Sequence, residues 1–129
     1  MGKYESTKEG RQRRADFEIK INKNKKIKLR FWIEKDNETF LASGRVLLLE
    51  LIDKYKSIRK AATEMGISYR HAWSMVDRIN KLNKKDVIKT STGGEKGGGA
   101  ELTEEGKKII KEFYDIKNLI NERLKDLKK

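Results

Sequence analysis

A serine at position 68 is followed by Tyr69, Arg70 and His71, then by Ser74 and Arg78. Hydroxyl, imidazole and guanidinium groups gathered on one helical face are suited to hydrogen-bonding base edges and phosphates of nucleic acid. Ala72, Val76, Ile79 and Leu82 recur at i, i+4, i+7 and i+10 and form one inward stripe, so the polar set points away from the core. Trp73, one step from Ala72, reads as packing between this helix and the core rather than as a base-stacking ring. Catalytic chemistry has fewer candidates. The chain has no cysteine and one histidine, so there is no thiolate nucleophile, and His71 alone is too few ligands for a metal site. The reading is a binding protein, not an enzyme, with no metal and no cofactor.

The flanking residues say how that face is held. Ser57 caps a short helix that runs to Met65. Gly66 can take the left-handed conformation that ends a helix tightly, Ile67 plugs the core under the turn, and Ser68 caps the next helix. Ala61 and Ala62 are small enough for two helices to approach closely. An earlier helix starts at Ser43-Gly44, ends near Lys56, and buries a broad face that includes Leu47 and Leu51.

After the polar helix, residues 86–90 read as a strand and residues 100–102 as its return. Between them lie Gly93, Gly94, Gly97, Gly98 and Gly99. This loop has neither the G-x-x-x-x-G-K-[ST] nor the G-x-G-x-x-G spacing, so it is no nucleotide cradle. It reads as the tip of a wing, where bare backbone approaches phosphate and Thr92, Lys96, Gly97 and Gly98 make the contacts. Ser57 and Ser68, at helix N-termini, are further phosphate candidates.

Thr103 caps a last helix, with Glu104 and Glu105 favourable in its first turn. Its length of about 25 residues exceeds what a small core needs, so its stripe of Ile109, Phe113, Ile116, Ile120 and Leu127 reads as a homodimer interface. The competing reading is that the helix folds back on the N-terminal strands. Upstream, Phe17, Ile19 and Ile21 alternate with polar residues, as do Ile27, Leu29, Phe31 and Ile33, which predicts strands with a turn at 22–24. Asp36-Asn37 reads as another turn.

The formal net charge is +12, and a basic excess of that size favours a polyanionic partner. Residues 1–35 hold twelve Lys/Arg and five acids. The sequence divides into a basic, partly disordered arm over 1–26, a DNA-binding unit over 27–102 and a dimerisation helix over 103–129. Arg11-Gln12-Arg13-Arg14 is either a phosphate-contacting arm or a solvated tail. No signal peptide precedes the chain and no 18-residue apolar run is present, which implies a cytoplasmic protein without membrane contact.

The run Gly66-Ile-Ser-Tyr-Arg-His-Ala-Trp73, with Asn80 and Leu82 behind it, then Thr92 to Ala100 and Leu102-Thr103-x-x-Gly106, resembles the DNA-binding half of ModE molybdate-responsive regulators. More distantly it is similar to the N-terminal domain of LysR-type regulators. The resemblance covers about residues 40–127. It implies a mainly α fold with small β content, a winged helix-turn-helix that dimerises through its first helix, with Leu47 and Leu51, and its last helix, with an N-terminal strand or hairpin. It implies a sequence-specific regulator of double-stranded DNA, with residues 68–82 in the major groove and 93–99 on the adjacent groove or backbone. The chain stops at Lys129, so a stand-alone form without molybdate-binding modules, and without a molybdate site, is expected. The alternatives are a nonspecific architectural DNA-binding protein and a protein–protein adaptor.

Overall fold

The computed structural model describes residues 15–91 and 99–128. Alternation in the N-terminal segment produces a hairpin, β1 (Phe17–Asn22) against β2 (Lys25–Leu29), with Ile19 opposite Ile27 and Phe17 opposite Leu29. The Asn22 side chain closes its turn by accepting from Asn24 N–H at 2.9 Å. The hairpin straddles position 26, so the expected boundary between arm and domain cuts through a paired element.

The second alternating run does not continue as one strand. At Phe31 the chain turns inward: its N–H donates to Asp16 Oδ2 at 2.9 Å, and its ring stacks on Phe113 at 4.9 Å with Phe17 on the other side at 5.8 Å. A second hairpin follows, β3 (Ile33–Lys35) against β4 (Glu38–Leu41). Asp36 and Asn37 have φ of 52° and 64°, the positive values a tight two-residue hairpin loop needs and that Asp and Asn tolerate.

Helix α1 (Ser43–Tyr55) buries Val46, Leu48, Leu49 and Ile52. Its cap position is Ala42, not Ser43, because the Ser43 hydroxyl donates to the Asp16 carboxylate instead. Helix α2 (Ile58–Met65), helix α3 (Tyr69–Asn83), hairpin β5 (Ile88–Ser91) with β6 (Gly99–Leu102), and helix α4 (Glu104–Leu124) complete the fold, followed by a 3-10 turn at Lys125–Lys128. Phe113, Leu41, Ile52, Met65, Ile79 and Val87 are among the fully buried side chains where these helices meet. Among the described residues no buried side-chain polar atom lacks a partner.

These elements correct the expected fold class. The expectation was a mainly α winged helix-turn-helix with small β content. The described residues instead form four α-helices beside three separate two-stranded antiparallel sheets. The break at Phe31 makes two hairpins from what reads as one long strand, and neither supplies a third strand to β5–β6. Residues 92–98, which would have made the wing, lie outside the described residues.

Two contacts fix α4. Thr103 Oγ1 accepts from Gly106 N–H at 3.0 Å and donates to the Asp86 carbonyl at 2.6 Å. Gly106 allows the close approach, since a Cβ there would lie 2.6 Å from the Val87 carbonyl oxygen. Further along, the Tyr114 hydroxyl donates to the Glu50 carboxylate of α1 at 3.0 Å.

Burial, and then the neighbouring Glu50 charge and hydrogen bond, push the Tyr114 hydroxyl up to about 12. The unfolded chain releases this proton near the ordinary value of about 10. The native state therefore holds more protons between those limits, and stability falls as pH rises from about 10 through about 12. Tyr114→Phe should flatten that alkaline decline in pH-dependent urea unfolding. A decline as steep as in the parent would remove Tyr114 as its source.

Candidate nucleic-acid interface

The site is assembled at the glycine turn. Gly66 has φ 73° and ends α2, its N–H bonded back to Ala62 and Thr63 carbonyls, and Ile67 N–H reaches the Ala62 carbonyl at 3.0 Å. Ser57 caps α2 by accepting from Lys60 N–H at 3.1 Å, and Ser68 caps α3 by accepting from His71 N–H at 3.0 Å. Both hydroxyls accept from their own helices, so these serines define the helix starts. Ala72, Val76, Ile79 and Leu82 are buried along one side of α3. Tyr69, Arg70, His71 and Ser74 are all exposed on the other.

The outer face has internal order. The Trp73 Nε1–H donates to the Tyr69 hydroxyl at 2.6 Å, and the Arg59 guanidinium lies 4.1 Å from the Tyr69 ring centroid. Arg59 of α2 thus joins Tyr69 and Trp73 of α3 in one cationic, aromatic row. The expected core packing of Trp73 is corrected: the ring is 37% exposed, because its neighbour Ala72 takes the inward position. Arg59 and Trp73 are functional candidates that sequence reasoning missed. Their one signal was an arginine two residues into α2, close across the turn to the aromatic start of α3.

Arg78 is placed differently from Arg70. Its guanidinium grips the Glu38 carboxylate of β4 with two hydrogen bonds, the Nε one at 2.8 Å. Hydrogen bonding to Glu38 is the main cause of its raised pKa. Arg78 therefore ties α3 to the second hairpin through a partly exposed ion pair. Asn80 ties α3 to β5: Oδ1 accepts from Val87 N–H at 2.7 Å and Ile88 N–H at 3.2 Å, while Nδ2 donates to the Ile88 carbonyl at 3.1 Å. From the opposite side, the Lys56 carbonyl accepts from Ala100 N–H at 3.1 Å and fixes β6 to the α1–α2 junction. Thr92, Lys96, Gly97 and Gly98, expected to touch phosphate, lie outside the described residues.

The expected dimer residues separate into two groups. Ile109 and Phe113 are 4% and 1% exposed; they belong to the chain's own core and cannot also face a partner, so that assignment is corrected. Phe31 stacks on Phe113, and Ile109 lies within the main core cluster. Leu47 and Leu51 are half-buried against the core, and Ile120 is half-buried. Ile116 and Leu127 are exposed, as is Leu119, which the sequence stripe left out.

Among the described residues no group of three or more His, Cys, Asp or Glu could hold a metal ion, and no helix is long and apolar enough to cross a membrane. The geometry is that of a binding surface: an exposed, cationic and hydrogen-bonding helix face on a well-anchored helix.

No family model matches the chain. Individual relatives do. The chain is 31% identical to "Molybdenum transport protein ModE" of Azotobacter vinelandii over 105 residues, covering 76% of this chain and 39% of the relative. It is 33% identical to "DNA-binding transcriptional dual regulator ModE" of Escherichia coli K12 over 95 residues, covering 74% of this chain and 36% of the relative. It is 41% identical to "Molybdenum-pterin-binding protein MopB" of Rhodobacter capsulatus over 76 residues, 59% of this chain and 28% of that protein. The chain thus spans less than two-fifths of the length of these relatives. The expected absence of a molybdate site finds no support here, since MopB is named for molybdenum-pterin binding, and that expectation is withdrawn. Over the shared region the chain is similar to part of these ModE and Mop proteins.

Proposed function

We propose that this chain is a transcriptional regulator that binds double-stranded DNA sequence-specifically as a homodimer, without enzymatic activity. The observation that carries the reading is the outer face of α3. Tyr69, Arg70, His71 and Ser74 are exposed together, and no carboxylate lies between Tyr69 and Val76 to oppose a polyanion. In this reading α3 enters the major groove, Arg70 reads a base edge, and the Arg59–Tyr69–Trp73 row borders the backbone. The exposed Ile116, Leu119 and Leu127 on and after α4 are the apolar surface for a second copy. Two copies of α3 would then meet half-sites about 34 Å apart.

The regulator names of the ModE relatives and the net charge of +12 support the same reading. The test is binding to a random duplex and to duplexes selected from a random pool, across a salt series. A selected site should bind far more tightly than random sequence, and affinity for both should fall steeply with salt. Arg70→Ala should cost about 1–3 kcal/mol on the selected site and relax preference at one position. A selected-to-random ratio near one would replace specific reading with architectural binding.

A further inference from the structure

The hairpin β1–β2 carries a charge pattern that α3 does not use. Between Phe17 and Arg30 there are six cations, Lys20, Lys23, Lys25, Lys26, Lys28 and Arg30, and one acid, Glu18. The register sorts them. Phe17, Ile19, Ile27 and Leu29 share one face, and Glu18, Lys20, Lys26 and Lys28 share the other. On that second face Glu18 pairs with Lys28 across the ladder and bonds Lys26 diagonally at 3.3 Å, while Lys20 stands directly opposite Lys26. Like charges directly opposite on a sheet destabilise it. Here the repulsion is retained on an exposed surface with a single carboxylate to offset three ammonium groups.

The hairpin is also held firmly. Phe17 and Ile19 are each 6% exposed, and Phe17 leads through Phe31 to Phe113, so the basic face is directed outward by the core beneath it. Lys23 and Lys25 extend the charge to the turn. A fixed, exposed, multiply cationic ribbon matches the regular negative charge of a nucleic-acid backbone, and it presents no hydrogen-bond acceptor pattern suited to reading bases.

We propose that the outer face of β1–β2 is a second DNA-contacting surface, gripping duplex phosphates independently of α3. The proposal rests on the DNA-binding reading above and deepens it: α3 supplies preference, and the hairpin supplies sequence-independent affinity. Neutralising three phosphate contacts should lower the slope of log affinity against log salt by about 3.

The test compares the full chain with its K20Q/K26Q/K28Q variant and the charge-keeping K20R/K26R/K28R variant. Each is measured on the selected and the random duplex over a salt series, and on vesicles of phosphatidylserine and phosphatidylcholine. The Gln variant should lose affinity for both duplexes by the same factor, with a shallower salt slope and an unchanged selected-to-random ratio. The Arg variant should restore both affinity and slope. Parent-like duplex affinity and slope in the Gln variant would overturn the hairpin proposal while leaving the α3 reading intact. Loss restricted to vesicle binding would also overturn it. Failure of the parent chain itself to bind either duplex would overturn both readings together.

Discussion

Phe113→Ala is expected to lower the unfolding free energy by about 3–5 kcal/mol, the range for truncating a large aromatic side chain in a closed core. That is a large share of the roughly 5–15 kcal/mol that holds a domain folded. Phe113 is 1% exposed, stacks on Phe31 at 4.9 Å and meets the Tyr114 ring edge-on at 5.7 Å. Through Phe31 it is linked to Phe17 of the first hairpin. One truncation therefore opens a void between α4 and the segment joining β2 to β3, which lie far apart in sequence. Urea unfolding should show the midpoint falling with little change in slope. Phe113→Leu, which refills part of the volume, should recover a substantial part of the loss. A cost below about 1 kcal/mol, less than a core aromatic truncation gives, would mean that α4 does not seal this core in solution.

Asn80→Ala is the second large effect, about 3 kcal/mol. The Asn80 amide serves three groups on two consecutive residues where β5 begins: Val87 N–H, Ile88 N–H and the Ile88 carbonyl. Val87 and Ile88 are 0% and 2% exposed, so water cannot readily replace the lost amide. A buried donor left without a partner costs about 1–3 kcal/mol, and the effects of neighbours are not simply additive. Thermal unfolding gives the magnitude, and amide exchange at Val87 and Ile88 gives its origin. Protection at those two amides that survives the substitution would show that another acceptor has taken over.

Much of the helical framework was legible because it depends on local chemistry. Ser57, Ser68 and Thr103 cap the helices they were expected to cap, and Gly66 takes the positive φ that its place in the sequence suggested. Ala72, Val76, Ile79 and Leu82 face inward because helical spacing alone decides that. The β portion was less legible. Whether Ile27 to Glu34 runs straight or breaks depends on Phe31 finding Asp16 and Phe113, and contacts that distant leave no periodic trace. The same cause misassigned Ile109 and Phe113. An apolar stripe shows that something covers a helix, and the chain's own core, not a second copy, covers Ile109 and Phe113. Arg78 was read as a surface cation because Glu38, its partner forty residues away, has no sequence signature. Trp73 was read as core packing because it stands one step from the inward Ala72, although Tyr69 and Arg59 give it a polar setting outside.

The separation of the strands into three hairpins bears on how the chain reaches its native state. Every strand pairs with its immediate successor: β1 with β2, β3 with β4 and β5 with β6. Pairing of sequence neighbours needs little loop closure, and an isolated hairpin forms in about 1–10 μs. The helices likewise meet in sequence order, α1 with α2 and α2 with α3. The distant joins are β6 against the α1–α2 junction through Ala100 and Lys56, Arg78 against Glu38, and the return of α4 to the N-terminal half, where Phe113 meets Phe31 and Tyr114 meets Glu50. These joins carry most of the loop-closure cost of folding, and they unite hairpins and helix pairs that form early from nearby contacts.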